Sequence, residues 1–162
     1  MKKLTNLTGV ILIVLGLVVV AFAPHHATAA GEGGTVTGAG TAAFGNGAIL
    51  GSTTLSSLDF GTGVFIEPNG SATGAFGALL TGRSVLGQLQ QITIDGNVLQ
   101  GALASSGQAN FSGTATVNLG NGTPSLSGVA FTVTTTADSV MLTLDSTKLP
   151  AAGLRAGAIT VK

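Results

Sequence analysis

Apolar and polar residues alternate along most of the chain. The clearest example is the stretch 110–134, "NFSGTATVNLGNGTPSLSGVAFTVT", in which Phe111 and Val117 share one side with the small residues between them. After a polar interruption, the alternation resumes at Val129 and continues through Val133. A period of two places every second side chain on one face of an extended strand, whereas a helix would need a period of about 3.6. The pattern therefore predicts β-strands.

Short β-prone segments follow one another with Gly, Asn, Asp and Pro between them. Their regular spacing favours an all-β sandwich or barrel. We expect an antiparallel β-sandwich, jelly-roll-like or Ig-like, with about 8–10 short strands and little helix. Residues 84–92 also fit a helical spacing, but Gly87 and the Ile-Thr-Ile that follows favour a strand there. The predicted segments are 35–44, 48–60, 64–66, 71–80, 85–94, 98–104, 110–119, 126–136, 140–145 and 156–162.

Turn-forming dipeptides separate several of these segments. The Asp-Gly pair at 95–96 lies between alternating runs and predicts a tight hairpin, because both residue types tolerate positive φ. The Asn-Gly pairs at 69–70 and 121–122 and the Ala-Asp pair at 137–138 predict further turns. Links this short join antiparallel neighbours.

The larger apolar residues of these segments form the predicted core. Small Ala and Val residues between them indicate a thin interior, and the low charge argues against disorder. The predicted core residues are Phe44, Ile49, Leu55, Leu58, Phe60, Phe65, Phe76, Leu79, Ile92, Ile94, Leu99, Phe111, Val117, Leu119, Val129, Phe131, Val133, Val140, Leu142, Leu144, Ile159 and Val161.

The N-terminus has the layout of a secretory signal peptide. Two lysines at positions 2–3 precede an apolar run at 9–23, and small residues follow. Ala27 and Ala29 offer the A-x-A pattern of a cleavage site, which makes Ala30 the expected first residue of the mature chain. The apolar run is shorter than the roughly 20 residues that a membrane-spanning helix needs, so cleavage is favoured over an uncleaved anchor.

This reading divides the chain into a signal peptide at 1–29, a flexible Gly-rich stretch at 30–34 and a single β domain at 35–162. The short Lys-Lys signal suggests a bacterial protein that is secreted, extracellular or periplasmic. The mature chain carries six carboxylates against four basic side chains, a formal charge of −2. Four scattered cations form no patch for a nucleic-acid backbone or for anionic lipid, so we expect neither partner after signal removal. Cysteine is absent, so the fold has no disulfides.

The residue types that most often carry catalysis are missing from the predicted mature chain. Both histidines, His25 and His26, precede the expected cleavage site, and the rest of the chain has no His, Cys, Tyr or Trp. This excludes a Ser–His or Cys–His nucleophile and a histidine-bound zinc. We expect a protein that is not an enzyme, with no catalytic residues and no cofactor.

The six acidic residues are expected to serve turns and strand ends. Calcium is the one ion that loop oxygens alone could bind, and Asp59 with Asp138 would be the candidates if their loops met in space. No Asp-x-Asp-x-Asp loop supports such a site.

Three hypotheses for function remain. The first is a secreted, non-catalytic structural protein of the cell surface or extracellular matrix that self-associates through strand edges, because long, weakly charged strands pair readily. The second is a secreted binding module whose loops recognise a glycan, a protein or Ca²⁺. The third rests on Thr-rich strands such as 114–116 and 132–136, which resemble the Thr arrays of ice-binding proteins, and on the stretch 81–103, which is similar to a segment of one bacterial family of them. Ordinary β-propensity explains these Thr residues equally well.

Overall fold

Ten β-strands and no helix occupy the part of the chain that the computed structural model describes, residues 33–45, 47–104 and 106–162. None of these residues belongs to a helix that could cross a membrane. The predicted all-β antiparallel class is confirmed. The strands are β1 (Gly34–Phe44), β2 (Ile49–Leu50), β3 (Thr53–Ile66), β4 (Ser71–Ser84), β5 (Leu89–Ala104), β6 (Gln108–Asn118), β7 (Leu126–Thr135), β8 (Ser139–Leu144), β9 (Thr147–Lys148) and β10 (Ala152–Val161).

The strands form a single sheet that closes on itself. β1 pairs with β3 along one side and with β10 along the other, so the order β1-β3-β4-β5-β6-β7-β8-β10 returns to its start. β2 and β9 are two-residue additions to β3 and β8. Every pairing is antiparallel, which agrees with the short links between consecutive strands. The expected jelly-roll-like or Ig-like sandwich is not confirmed, because all ten strands share one hydrogen-bonded sheet.

The inner faces of the strands fill the space inside the ring. At its centre, the ring of Phe76 lies 6.0 Å from that of Phe111 and stacks on that of Phe131 at 5.9 Å. Aliphatic residues such as Ile94 and Leu142 are also fully buried. The interior is therefore a packed core and not an open channel.

Most of the predicted core residues are buried, but three predictions are wrong. Ile49, Phe65 and Leu99 are each about half exposed, at 55%, 52% and 51%. Leu79 is only partly covered, whereas its neighbour Leu80 is completely buried. These errors have one cause. Where two or three consecutive residues are apolar, as in 64–66, the period of two does not say which of them points inward.

The turns at 67–70, 121–122 and 137–138 are confirmed. The hairpin predicted at 95–96 is wrong, because both residues lie inside β5. The actual reversal between β4 and β5 is at 85–88, where the Ser84 amide donates to Gln88 and the Gly87 amide donates to Ser84. Position 96 requires a glycine because of core packing, since a Cβ atom there would contact the ring of Phe131.

Candidate functional site

The two candidate metal ligands lie on different parts of the sheet. Asp59 is on the outer face of β3, where its carboxylate accepts a hydrogen bond from Thr41 Oγ1 at 2.6 Å. Asp138 is in the turn between β7 and β8, and its carbonyl accepts from the amide of Leu154 in β10. β1 and β10 therefore separate the two carboxylates, by at least about 10 Å at the usual strand spacing. Within the described ranges, no three His, Cys, Asp or Glu residues form a group that could hold a metal ion.

The predicted cleavage-site residues Ala27, Ala29 and Ala30 lie outside the described residues. The structure therefore adds nothing to the expected signal peptide. The first described strand starts at Gly34, so all ten strands fall within the expected mature chain.

The Thr-rich strands contribute to the outer face, but they do not form one flat array. Thr114 and Thr116 point outward from β6 and are exposed, while Thr132 and Thr143 face each other across β7 and β8 and are half-buried. Thr135 points into the core. A sheet of eight strands that closes on itself is curved, so outward side chains on different strands point in different directions and cannot share a plane.

Among the residues that the structure describes, the outer edge of β10 is unpaired over most of its length. β10 runs beside β1 from Ala152 to Val161, but only Ala152 and Gly153 pair with β8 on the other side. β8 is too short to continue, because the chain reverses at 136–138. An antiparallel edge of this kind presents backbone donors and acceptors that can pair with another strand.

The register identifies the groups at this free edge. Lys162 and Thr35 exchange both backbone hydrogen bonds, at 2.8 and 3.0 Å. Because the hydrogen-bonding direction alternates along an antiparallel strand, the amides and carbonyls of Gly157, Ile159 and Val161 point away from β1. We name residues 155–161 the β10 edge.

The side chains along the β10 edge leave room for a second strand. Ala156, Gly157 and Ala158 are small and exposed. Arg155 begins the segment and Lys162 follows its end, so each end carries a cation. Charged residues at strand edges are a common restraint on uncontrolled pairing. The edge can therefore accept a second strand, and the two cations at its ends lower the affinity of that pairing.

A second unusual surface is the turn between β4 and β5. Val85 and Leu86 project into solvent, with 82% and 81% of their surface exposed, and Leu89 beside them is 67% exposed. The turn is held in place because the Arg83 guanidinium donates to the carbonyl of Gly87 at 2.8 Å. We name Val85, Leu86 and Leu89 the apolar tip.

Sequence reasoning placed Val85 and Leu86 in a strand and so missed the apolar tip. The available signal was Gly87, which adopts a positive φ of 76° and closes the turn. The β10 edge was partly foreseen, since the segment at 156–162 was predicted as a strand. Which of its sides stays unpaired depends on the length of β8, which the local sequence does not reveal.

The chain matches no known family model, no curated protein and no solved structure. The β10 edge is therefore the feature from which we infer a function.

Proposed function

We propose that this protein is an exported, non-catalytic structural component of the cell surface or extracellular matrix, and that its copies associate through strand edges. The observation that carries the proposal is the unpaired β10 edge. The packed interior is consistent with a structural role, because the large apolar side chains of the described strands form a solid core.

The strength of an edge contact can be approximated from its hydrogen bonds. Two copies of the β10 edge, aligned antiparallel, would form about six backbone hydrogen bonds through the groups of Gly157, Ile159 and Val161. At about 1 kcal/mol net for each, the gain is about 6 kcal/mol, which lies within the range of the entropic cost of association. The contact is therefore weak for an isolated pair and becomes effective at high local concentration, as in a matrix.

The cations that flank the edge add a testable dependence on salt. Antiparallel pairing brings Arg155 of one copy close to Lys162 of the other, at both ends of the contact. Salt screens this repulsion, so association through the β10 edge strengthens as ionic strength rises.

Sedimentation velocity across a concentration series tests the proposal, using residues 30–162, which contain every described strand. We expect growth with concentration. Ala158→Lys adds a cation to the free edge and should weaken edge pairing. Ala75→Lys is the matched control, because Ala75 is also exposed but lies on β4, which is paired on both sides.

Two outcomes would count against the proposal in different ways. A monomer at every concentration would remove self-association and favour the binding-module hypothesis, to be followed by glycan, protein and Ca²⁺ titrations. Association that is equally sensitive to Ala158→Lys and Ala75→Lys would show that the β10 edge is not the contact.

A further inference from the structure

Two exposed asparagines, each followed by a glycine, have the same hydrogen bonds at the side-chain oxygen. Asn121 Oδ1 accepts from the amide of Thr123 at 3.1 Å and from its hydroxyl at 2.6 Å. Asn69 Oδ1 likewise accepts from the amide of Ser71 at 2.8 Å and from its hydroxyl. Each asparagine therefore forms an Asx turn that a second donor reinforces.

The glycine that follows the asparagine differs between the two turns. The Gly70 amide donates to the carbonyl of Glu67 at 2.9 Å, and the side-chain amide of Asn69 donates to the Glu67 carboxylate at 3.2 Å. Neither the Gly122 amide nor the side-chain amide of Asn121 has a hydrogen-bond acceptor among the described residues. In the second turn, the nitrogen beside the asparagine is therefore free to react, and the side-chain nitrogen is free to leave.

The Asx turn at Asn121 brings the reacting atoms together. The hydrogen bond from the Thr123 amide to Asn121 Oδ1 closes a ring that also contains Asn121 Cγ and the nitrogen of Gly122. The two Thr123 donors point at the oxygen on which negative charge would develop if a nucleophile added to Cγ, and donors in that position stabilise an oxyanion. Gly122 has a φ of 84° and no Cβ atom that could hinder the approach.

We infer that Asn121 is a site of spontaneous covalent modification, with water as the only other reactant. The nitrogen of Gly122 attacks Cγ of Asn121, its proton passes through water to Nδ2, and the Cγ–Nδ2 bond breaks to release ammonia. The product is a cyclic succinimide that contains the former peptide nitrogen. Water then adds to one of the two carbonyl carbons, and the bond from that carbon to the nitrogen breaks. Attack at Cγ leaves an aspartate at this position, and attack at the main-chain carbonyl carbon leaves an isoaspartate.

The surroundings of Asn121 allow the modified chain to remain folded. Residues 120–128 are all exposed, and the pairs Val117 with Leu126 and Ala115 with Val129 lie outside the turn. Isoaspartate adds one carbon atom to the main chain, which the loop between β6 and β7 can absorb without a change of strand register. Each event also adds a carboxylate to a chain with few charges, so the protein becomes more acidic as it ages. This chemistry is independent of how copies of the protein associate.

Mass spectrometry of the purified native protein, incubated for increasing times at physiological temperature and pH, tests the inference. Fragmentation of proteolytic peptides assigns the mass increase of deamidation to individual positions. We expect Asn121 to react about tenfold faster than Asn69, because the Gly70 amide must first break its hydrogen bond to Glu67. In urea, where both turns are lost, the two asparagines should react at similar rates. A third Asn-Gly pair, at 46–47, includes a residue outside the described ranges and does not enter this comparison.

Two pairs of variants separate the contributions of the side chains. Asn121→Gln should slow the reaction at this position by about tenfold or more, since its longer side chain must close a larger ring. Asn69→Gln is the matched control and should leave the rate at Asn121 unchanged. Thr123→Val removes one of the two donors to Oδ1 and should slow the reaction about threefold, whereas Thr123→Ser keeps the hydroxyl and should restore the rate. Far-UV circular dichroism checks that each variant remains folded, as expected at exposed positions.

Three results would overturn the inference. Equal rates at Asn69 and Asn121 in the native protein would show that the hydrogen bond of the Gly70 amide does not control reactivity. An Asn121 that stays intact in the native protein but reacts in urea would show that the folded turn prevents the attack. A rate that is unchanged by Thr123→Val, or that Thr123→Ser fails to restore, would contradict the role of Thr123 as the donor to the developing oxyanion.

Discussion

Replacing Gly96 with Ala introduces a methyl group beside the aromatic cluster at the centre of the core. A Cβ atom at this position would lie 2.8 Å from Cε1 and 2.9 Å from Cζ of Phe131, and 3.1 Å from the carbonyl oxygen of Phe76. The ring of Phe131 cannot easily move away, because it is 2% exposed and stacks on Phe76. The substitution therefore forces a rearrangement of packed groups.

Two opposing terms determine the change in the free energy of unfolding. Overpacking in a filled core costs typically about 1–3 kcal/mol. Replacing Gly with Ala also restricts the unfolded chain, which stabilises the protein by about 0.4–1 kcal/mol where the native φ is compatible. Gly96 does not have a positive φ, so this gain applies. We expect a net destabilisation of about 1–2 kcal/mol.

Gly77 provides the matched control on the neighbouring strand. A Cβ atom there would meet nothing within 4 Å, and its φ is also outside the positive region. Only the unfolded-state term remains, so Gly77→Ala should stabilise the protein by about 0.4–1 kcal/mol. The same chemical change at two nearby glycines is thus expected to have opposite signs.

Urea unfolding followed by far-UV circular dichroism measures both changes, since the chain has no Trp or Tyr for fluorescence. Phe131→Leu removes the ring atoms that clash, so Gly96→Ala should cost much less in that background. The reasoning would be refuted if Gly96→Ala and Gly77→Ala shifted the free energy of unfolding in the same direction. It would equally fail if Phe131→Leu did not reduce the cost of Gly96→Ala.

Three further predictions concern single positions. Thr135 is buried and its hydroxyl has no hydrogen-bond partner among the described residues, so Thr135→Val should stabilise the protein by about 1 kcal/mol. Thr53→Val should destabilise it, because it removes a hydroxyl that donates to Gln90 Oε1 at 2.8 Å. Urea unfolding of both variants checks the two signs. Leu80→Ala should lower the free energy of unfolding by about 2–5 kcal/mol and Leu79→Ala by clearly less, because only the Leu80 side chain is fully buried. Equal losses of stability in thermal unfolding would contradict the inward and outward faces assigned to these two residues. Mass spectrometry of the exported protein should find Ala30 as its first residue, and an intact N-terminus would contradict the expected cleavage.

The strands themselves could be predicted from the sequence, because extended backbone conformation is largely a local property. Alternating segments such as 110–119 became β6, and the Asn-Gly pairs at 69–70 and 121–122 form turns as predicted. The Asp-Gly pair at 95–96 had the same local signal and yet lies within a strand. The difference is tertiary, since Gly96 accommodates the ring of Phe131 from β7.

The sequence by itself determined the fold class, the absence of disulfides and the scarcity of charge, because composition and periodicity express them directly. The tertiary structure decided which of two adjacent apolar residues points inward, as with Leu79 and Leu80, and it decided that the sheet closes between β1 and β10. It also decided that β8 is short, so that among the described residues the β10 edge has no partner strand. These features depend on register between strands far apart in the chain, and register is fixed by the packing of the whole sheet rather than by any one segment.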